Sequence, residues 1–252
     1  MSVPDWQLPP GVDRGLWDYL HSRDMAAGYD AQMAASPLAA ADVAFCERAF
    51  PTPGRLIDLG CGTGRLTVHF AGKGYDCVGV DLSPEMLTGA KANADAAGVR
   101  VEWVDGNLTD LAGVPDASFD YAACLFSTLG MVRGDDNRRA AVAAMRRVLT
   151  PGGRLVLHAH NRHFRGLGWK GLWSGDLTMP QAYAGAPMTL HHFTRGEVVR
   201  LLTAGGFQVT RVEAIAVGGE PVRWASRRRG YGWLVEASQG TLQRAVFVRT
   251  PR

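Results

Sequence analysis

Between residues 55 and 160 the chain alternates short, continuous apolar runs with longer stretches whose apolar positions recur three and four apart. The runs Arg55–Leu59, Asp76–Val80, Val99–Val104, Phe119–Phe126 and Arg154–His158 read as strands, and the largely apolar character of most of them fits burial. The intervening stretches Arg65–Gly72, Pro84–Ala97 and Arg138–Leu149 read as helices. Ser83 caps the second of these with Pro84 at its first position, and the third places Ala141, Val142, Met145, Val148 and Leu149 on one face. Strands and helices in this order predict βαβ units and a mostly parallel, doubly wound α/β sheet.

The flanks follow other rules. From Trp17 to Phe50 the apolar positions Trp17, Leu20, Tyr29, Met33, Val43, Phe45 and Phe50 have loose helical spacing, and Pro37 divides two predicted helices. Pro51-Thr-Pro-Gly54 then breaks the chain. After His160 the rhythm fails: Asn161–Leu190 is rich in Gly, Trp, Pro and Met without a sustained period, as expected of a long loop or an insertion over a site. A helix returns at Thr194–Thr203, where Thr194 and Glu197 form a capping-box pair, and Gly205 and Gly206 stop it. Phe207–Ile215 and Gly232–Glu236 read as closing strands. The expected organisation is one domain, residues 1–252: a helical cap (1–45), a binding core (46–160), a lid or insertion (161–193), and a closing helix with strands (194–252).

Composition narrows the class. The formal charge of +3 is spread along the chain apart from Arg227, Arg228 and Arg229, so charge alone does not call for nucleic acid. Cys46, Cys61, Cys77 and Cys124 are widely spaced with no CxxC pair, which favours reduced thiols. Met1–Pro10 lacks a basic start followed by an apolar run, and the longest uncharged apolar stretch, Tyr121–Val132, is too short to span a bilayer. A soluble, cytoplasmic protein with no membrane partner is expected.

The chemistry-bearing motif is Asp58-Leu-Gly60-Cys-Gly62-Thr-Gly64, a strand end followed by glycines at every second position and then a helix. Such a bend lets the backbone approach a ligand closely, and the helix start offers unpaired N–H groups. Asp81 ends the next strand and places a carboxylate beside the bend, where it can accept both hydroxyls of a ribose. A dinucleotide fingerprint requires a third glycine where Arg65 stands, which disfavours a nicotinamide cofactor.

The spacing instead resembles motif I of class I S-adenosylmethionine-dependent methyltransferases, and the resemblance continues in register over about residues 45–160 and 193–215. Asp81-Leu82-Ser-Pro-Glu-Met86-Leu87 is similar to the post-I motif, which implies that Asp81 holds the ribose and Leu82 packs on adenine. Gly106-Asn107-Leu108 stands where the family commonly has Gly-Asp-apolar at the adenine edge; Asn107 departs from the pattern, and Asp105 is the alternative contact. Ser118-Phe-Asp120 with Cys124–Gly130 resembles motif IV, Leu149–Leu155 the Leu-x-Pro-Gly-Gly-x-Leu turn, and Ala204–Phe207 the Gly-Phe turn before the sixth strand. Ala26-Ala-Gly-Tyr29-Asp30 resembles the helix whose tyrosine approaches the methionine end of the donor, although Tyr29 as a core aromatic fits as well. The resemblance implies a seven-stranded Rossmann-like sheet with an antiparallel last strand, an N-terminal helical cap and a lid after strand 5. It further implies donor contacts from Tyr29, Asp58, Gly60, Cys61, Gly62, Gly64, Asp81, Leu82, Met86, Asp105, Gly106, Asn107, Leu108, Cys124 and Leu125, with S-adenosylhomocysteine as product.

Methyl transfer from a sulfonium is an in-line displacement, so the protein mainly aligns two reactants and excludes water. An acceptor that sheds a proton needs a base, and His158 and His160, at the carboxyl end of the fifth strand, are the candidate bases. Hydrogen-bonded imidazoles that simply end a strand are the alternative, and His191 and His192 are further candidates. The run His158-Ala-His160-Asn-Arg-His163 evokes an HxHxDH metal motif, but Arg162 replaces its aspartate and no further ligand set is evident, so no metal is expected. The fourth strand ends without a carboxylate, which leaves metal-dependent catechol methylation unsupported. Arg223, Trp224 and Arg227–Arg229 with Tyr231 and Trp233 form either a basic-aromatic RNA surface or a solvated hairpin. The insertion, carrying Phe164, Trp169, Trp173, Met179 and Tyr183, suits a lid over a small, partly apolar acceptor methylated at N or O. An RNA or protein methyltransferase, or a donor-binding module without catalysis, are the alternatives.

Overall fold

The computed structural model describes residues 3–164, 167, 174–183, 186–222 and 230–240. Three helices open the chain, α1 (Arg14–Leu20), α2 (Arg23–Ala34) and α3 (Pro37–Ala49). The alternating core follows as β1 (Arg55–Leu59), α4 (Arg65–Ala71), β2 (Asp76–Asp81), α5 (Pro84–Ala97), β3 (Glu102–Asp105), β4 (Phe119–Cys124), α6 (Thr128–Met131), α7 (Asp135–Val148) and β5 (Leu149–His160). A hairpin, β6 (Asp176–Tyr183) and β7 (Ala186–His191), precedes α8 (Arg195–Ala204), β8 (Phe207–Ile215) and β9 (Gly232–Gln239).

Seven strands form one sheet in the order β3-β2-β1-β4-β5-β9-β8. Pairs from β3 to β5 are parallel, and only β9 runs against its neighbours. The chain moves outward from β1 through β2 to β3 and then crosses to β4 on the other side, so the strand order reverses between β1 and β4. At such a switch point the loops leaving the carboxyl ends diverge and open a crevice for ligand. The register keeps those ends level: Leu59 pairs with Val80, Asp81 with Asp105 and Asp58 with Ala123.

Successive strand residues point to opposite faces, which explains the largely apolar runs. Ile57 and Leu59 of β1 enter one core with Leu155 and Leu157 of β5, packed under Val142 and Met145 of α7 and Leu202 of α8. Leu56 and Val156 enter the opposite core beneath Phe45, Phe50 and Phe70. A third cluster joins Leu16, Tyr19 and Leu20 of α1 to Met188 and Leu190 of β7, which lays the N-terminal segment and the hairpin together.

Several boundaries depart from the sequence reading; β3 starts only at Glu102, and β5 already at Leu149. Three helices, not two, precede β1, because Asp13 caps a short α1 through the Leu16 amide at 2.9 Å. Helix α7 starts at Asp135: its first turn carries Asp135 and Asp136 and its last Arg146 and Arg147, charges that favour the helix ends but leave no apolar period. The fourth strand stops at Cys124, since Phe126 and Ser127 take left-handed φ values of 51° and 63°. The aperiodic stretch after His160 contains the β6–β7 hairpin, which alternates too weakly to announce itself.

Candidate functional site

The bend after β1 is built by glycine. Gly60 has φ 75°, and a Cβ there would lie 2.4 Å from Thr128 Cγ2; Gly62 has φ 55°, with the Tyr29 ring 3.1 Å from where its Cβ would stand. The Gly60 and Cys61 amides both donate to Val80 O, at 2.8 and 3.0 Å, which pins the bend to β2. Gly62 N donates to Asp81 Oδ2 at 2.8 Å, and Ser83 N donates to Asp81 Oδ1 at 2.9 Å. Each carboxylate oxygen keeps a further lone pair for a ligand hydroxyl. Asp81 is buried, and burial raises its pKa against the pull of these amides.

A cleft opens at this point, its space of about 680 Å³ reaching out to solvent. Tyr29, Gly60, Gly62, Asp81, Leu82, Met86, Asn107 and Leu108 line it. Pro10–Val12, Leu16, Tyr19 and Leu20 close it from the N-terminal side. A second cavity of about 570 Å³ shares Tyr19, Tyr29, Gly60, Thr128 and Met131 with the first and adds Asp58, Cys61, Arg65, Leu125 and Phe126. The two therefore adjoin at the glycine bend. Asp58 sits on the floor of the second, accepting from Thr67 Oγ1 at 2.7 Å, and burial pushes its pKa up to about 6.

Four residues expected at the donor line neither cavity. Gly64 lies under Trp103, whose ring would be 2.8 Å from a Cβ; Asp105 and Gly106 stay at the end of β3; and Cys124 is buried, its thiol pushed up to about 12 by burial. Asn107 lines the cleft, but its amide is engaged: Nδ2 donates to Pro10 O at 2.9 Å and Oδ1 accepts from Thr109 N at 3.0 Å. It ties down the N-terminal strap as well as facing the ligand space. Tyr19, Arg65, Thr128 and the Pro10–Val12 strap were not anticipated. Thr128, inside the motif IV segment, was the one with a sequence signal.

The histidines separate into two groups. His158 and His160 line neither cavity. His158 Nδ1 lies 2.8 Å from Asp42 Oδ1, both groups being fully buried, while neither ring nitrogen of His160 has a hydrogen-bond partner. Burial, with His158 and His192 nearby, holds the His160 pKa well below its ordinary value, so the ring is neutral. His191 serves structure, bridging Asp176 Oδ1 at 2.6 Å and Glu197 Oε1 at 2.7 Å. His192 Nδ1 faces Leu190 O at 3.3 Å.

Trp233, read as part of a basic-aromatic surface, is instead buried, its indole donating to Phe193 O at 3.1 Å. Arg223, Trp224 and Arg227–Arg229 lie outside the described residues, as do Trp169 and Trp173; Met179 and Tyr183 lie in β6. Among the described residues no group of three or more His, Cys, Asp or Glu is placed to hold a metal ion, and no helix is long and apolar enough to cross a membrane.

Comparison with known proteins places this geometry. Residues 56–153 match the family model described as a methyltransferase domain. A putative methyltransferase from a Geobacillus strain is 34% identical over 109 residues, covering 43% of each chain. A ubiquinone biosynthesis O-methyltransferase from Xanthomonas axonopodis is 32% identical over 112 residues, covering 44% of this chain and 45% of that protein. The match thus spans less than half the length of these curated relatives. Among solved structures, an S-adenosylmethionine-dependent methyltransferase from Methanosarcina mazei superposes with a TM-score of 0.64 at 22% identity, covering 78% of this chain and 97% of that one. A glycopeptide N-methyltransferase complexed with S-adenosylmethionine superposes with a TM-score of 0.57 at 21% identity, covering 78% and 91%. The chain has the class I methyltransferase fold, and the match to the family model lies within it, over residues 56–153.

Proposed function

We propose that this chain, carrying the class I methyltransferase fold, binds S-adenosylmethionine in the Asp81 cleft and transfers its methyl group to N or O of a small-molecule acceptor, releasing S-adenosylhomocysteine. The observation that carries this reading is the convergence of the glycine bend, the Asp81 carboxylate and the apolar Leu82 and Leu108 at the switch point of the sheet. Asp81 accepts the ribose hydroxyls, Leu82 and Leu108 flank the adenine, and Asp58 offers negative charge to the donor's ammonium. The adjoining cavity is where the acceptor approaches the sulfonium, in line with the bond that breaks. Alignment in a space that excludes water supplies most of the acceleration.

The relatives add support: those named above are methyltransferases by name, one of ubiquinone biosynthesis and one a glycopeptide N-methyltransferase. Residues 1–45 and 161–193 are assigned to enclosing the acceptor; α1 and β7, packed together beside the cleft, belong to these segments. Calorimetry with S-adenosylmethionine and S-adenosylhomocysteine tests the reading. Binding of both at micromolar concentration is expected, and a protein that ignores both while taking up a nicotinamide dinucleotide overturns it.

A further inference from the structure

The donor cleft is spanned by the N-terminal segment of the chain. Residues 5–14 form a loop stapled at its base, where Arg14 donates to Asp5 Oδ1 through Nε at 2.9 Å and through Nη2 at 2.6 Å. Its tip is the turn Pro9-Pro10-Gly11-Val12, closed by Val12 N donating to Pro9 O at 3.1 Å. Proline at the second place and a glycine with φ 78° at the third suit a type II turn, so the tip is shaped before it docks.

The tip is held from both sides of the crevice. Asn107, just beyond β3, donates through Nδ2 to Pro10 O at 2.9 Å, and Arg133 N, just beyond α6, donates to Gly11 O at 2.8 Å. Because β3 and β4 lie on opposite sides of β1 in the sheet, the tip bridges the opening instead of edging it. The fit is close: Gly11 is buried, and a Cβ on it would stand 2.9 Å from Val132 Cγ1 and 3.4 Å from Asn137 Cβ. Pro10, Gly11 and Val12 line the same cleft as Asp81 and Leu82. An adenosine seated on Asp81 and Leu82 is therefore covered by the tip, and passes in or out only when the tip lifts.

These bonds differ in kind. Arg133 contributes its backbone amide, which any residue but proline would supply, whereas the bond from residue 107 requires a side chain that donates. Asn107 Oδ1 accepts from Thr109 N at 3.0 Å, and this commitment turns Nδ2 toward the tip. A carboxylate in the same place keeps the Thr109 bond but sets an oxygen against the Pro10 carbonyl, acceptor against acceptor.

We infer that Asn107 latches the Pro9–Val12 turn over the donor cleft and thereby sets how fast the adenosine half of donor and product enters and leaves. The inference rests on the methyltransferase reading and gives Asn107 a positioning task beyond any contact with adenine. The latch bond contains no ligand atom, so it favours the closed turn by the same amount whether or not a ligand is bound. A preference shared by both states shifts no equilibrium between them, so the latch slows association and dissociation together and leaves Kd nearly alone. A contact with the ligand acts otherwise, since its loss speeds dissociation and raises Kd in proportion. The adenosine half is common to S-adenosylmethionine and S-adenosylhomocysteine, so product release passes the same latch, a kind of opening step that limits turnover in many enzymes.

The experiment immobilises the full chain for surface plasmon resonance and uses S-adenosylhomocysteine and methylthioadenosine as probes, reading both rate constants. In Asn107→Asp, kon and koff for S-adenosylhomocysteine are each expected to rise about tenfold, as the loss of one hydrogen bond allows, with Kd within about threefold of wild type. Methylthioadenosine, which keeps the adenosine and lacks the amino acid, is expected to show the same acceleration. Hydrogen exchange at the Gly11 and Val12 amides should quicken in the variant without any ligand, a change that loss of an adenine contact would not give. Gly11→Ala lifts the tip away from Val132 while leaving Asn107 intact; it is expected to raise both rates likewise, and it answers the question if Asn107→Asp does not fold. An unchanged kon in the variants, with koff and Kd moving together, makes Asn107 an adenine contact only and overturns the inference. Wild-type rates in the variants, or an acceleration confined to S-adenosylhomocysteine, overturn it too, and each of these results leaves the methyltransferase reading standing. Failure of the wild-type chain to bind S-adenosylhomocysteine defeats both readings.

Discussion

Asp81 accepts the Gly62 amide through Oδ2 at 2.8 Å, so the carboxylate that ends β2 also holds the glycine bend that ends β1. The ribose site and the backbone beside it are one unit. Asp81→Ala is therefore expected to lose donor affinity twice over, through the missing acceptor and through a loosened bend. Hydrogen bonds to a charged group are each worth about 1.5–3 kcal/mol, so the Kd should rise about 100-fold or more. Calorimetry with S-adenosylhomocysteine measures it, and wild-type affinity in the variant would remove Asp81 from the site.

Gly60 and Gly74 have similar backbones and opposite surroundings. Their φ values are 75° and 87°, yet a Cβ at 60 meets Thr128 at 2.4 Å while one at 74 meets nothing within 4 Å. Gly74→Ala bears only the left-handed cost, about 1 kcal/mol. Gly60→Ala adds crowding against Thr128 and should cost about 2 kcal/mol or more, lowering Tm by roughly 4–8 °C. Thermal melts of the two variants separate backbone strain from close approach; equal shifts would show that the bend has room to spare.

What the sequence disclosed follows from how local each cause is. The β1–Gly60–Gly62 bend and the Asp81 strand end were legible because a tight turn with close ligand approach restricts both residue type and spacing. The mostly parallel, doubly wound sheet was legible through the alternation of apolar strands with helices, and Ile57 and Leu56 of one such strand enter opposite cores. Tyr19, Arg65 and the Pro10–Val12 strap reach the cleft only through tertiary convergence, which spacing along the chain does not encode. Asn107 was legible as a position but not in its second task, since its bond to Pro10 O joins residues 97 apart. Phe126 was read as strand because the apolar run continues to it, while its left-handed backbone, like that of Ser127, is set by the turn into α6.

Asp58 predicts opposite effects of one substitution. Its pKa stands near 6 in the folded chain against 3.8 in the reference state, because burial disfavours the carboxylate. A raised carboxylate pKa means that the folded state binds the proton more tightly, so ionised Asp58 costs stability above about pH 6 and nothing below about pH 3.8. Asp58→Asn should thus raise stability at pH 7.5 by up to about 3 kcal/mol, an advantage that fades on acidification through that window. The same change removes the charge offered to the donor's ammonium, so donor affinity should fall in the variant, and in the wild type below about pH 6. Denaturant melts and calorimetry at pH 4, 6 and 7.5 follow the two effects; parallel loss of stability and binding at pH 7.5 would contradict this assignment.

His191 links the hairpin to the rest of the molecule, and Asp176 is its hub. Asp176 accepts from His191 at 2.6 Å, and its oxygens lie 3.4 Å from Arg133 and 3.8 Å from Arg138; Arg133 in turn reaches Asp13, the cap of α1, at 3.2 Å. Gly175 makes room, since a Cβ there would lie 2.5 Å from the His191 ring. Burial acts to raise the pKa values of Asp176 and Glu197, but their bonds to His191 prevail and hold both below the ordinary carboxylate range. Depressed carboxylates stabilise the fold fully above their unfolded values, and the contribution is lost as pH falls through the folded ones. Asp176→Asn should therefore cost about 1 kcal/mol at neutral pH, roughly 2–4 °C in Tm, with the difference from wild type shrinking below about pH 4. Because β7 packs on α1 beside the cleft, donor Kd should rise a few-fold. A variant that melts like wild type at pH 7 yet binds donor less well would mean that Asp176 acts on the cleft by some route other than this clasp.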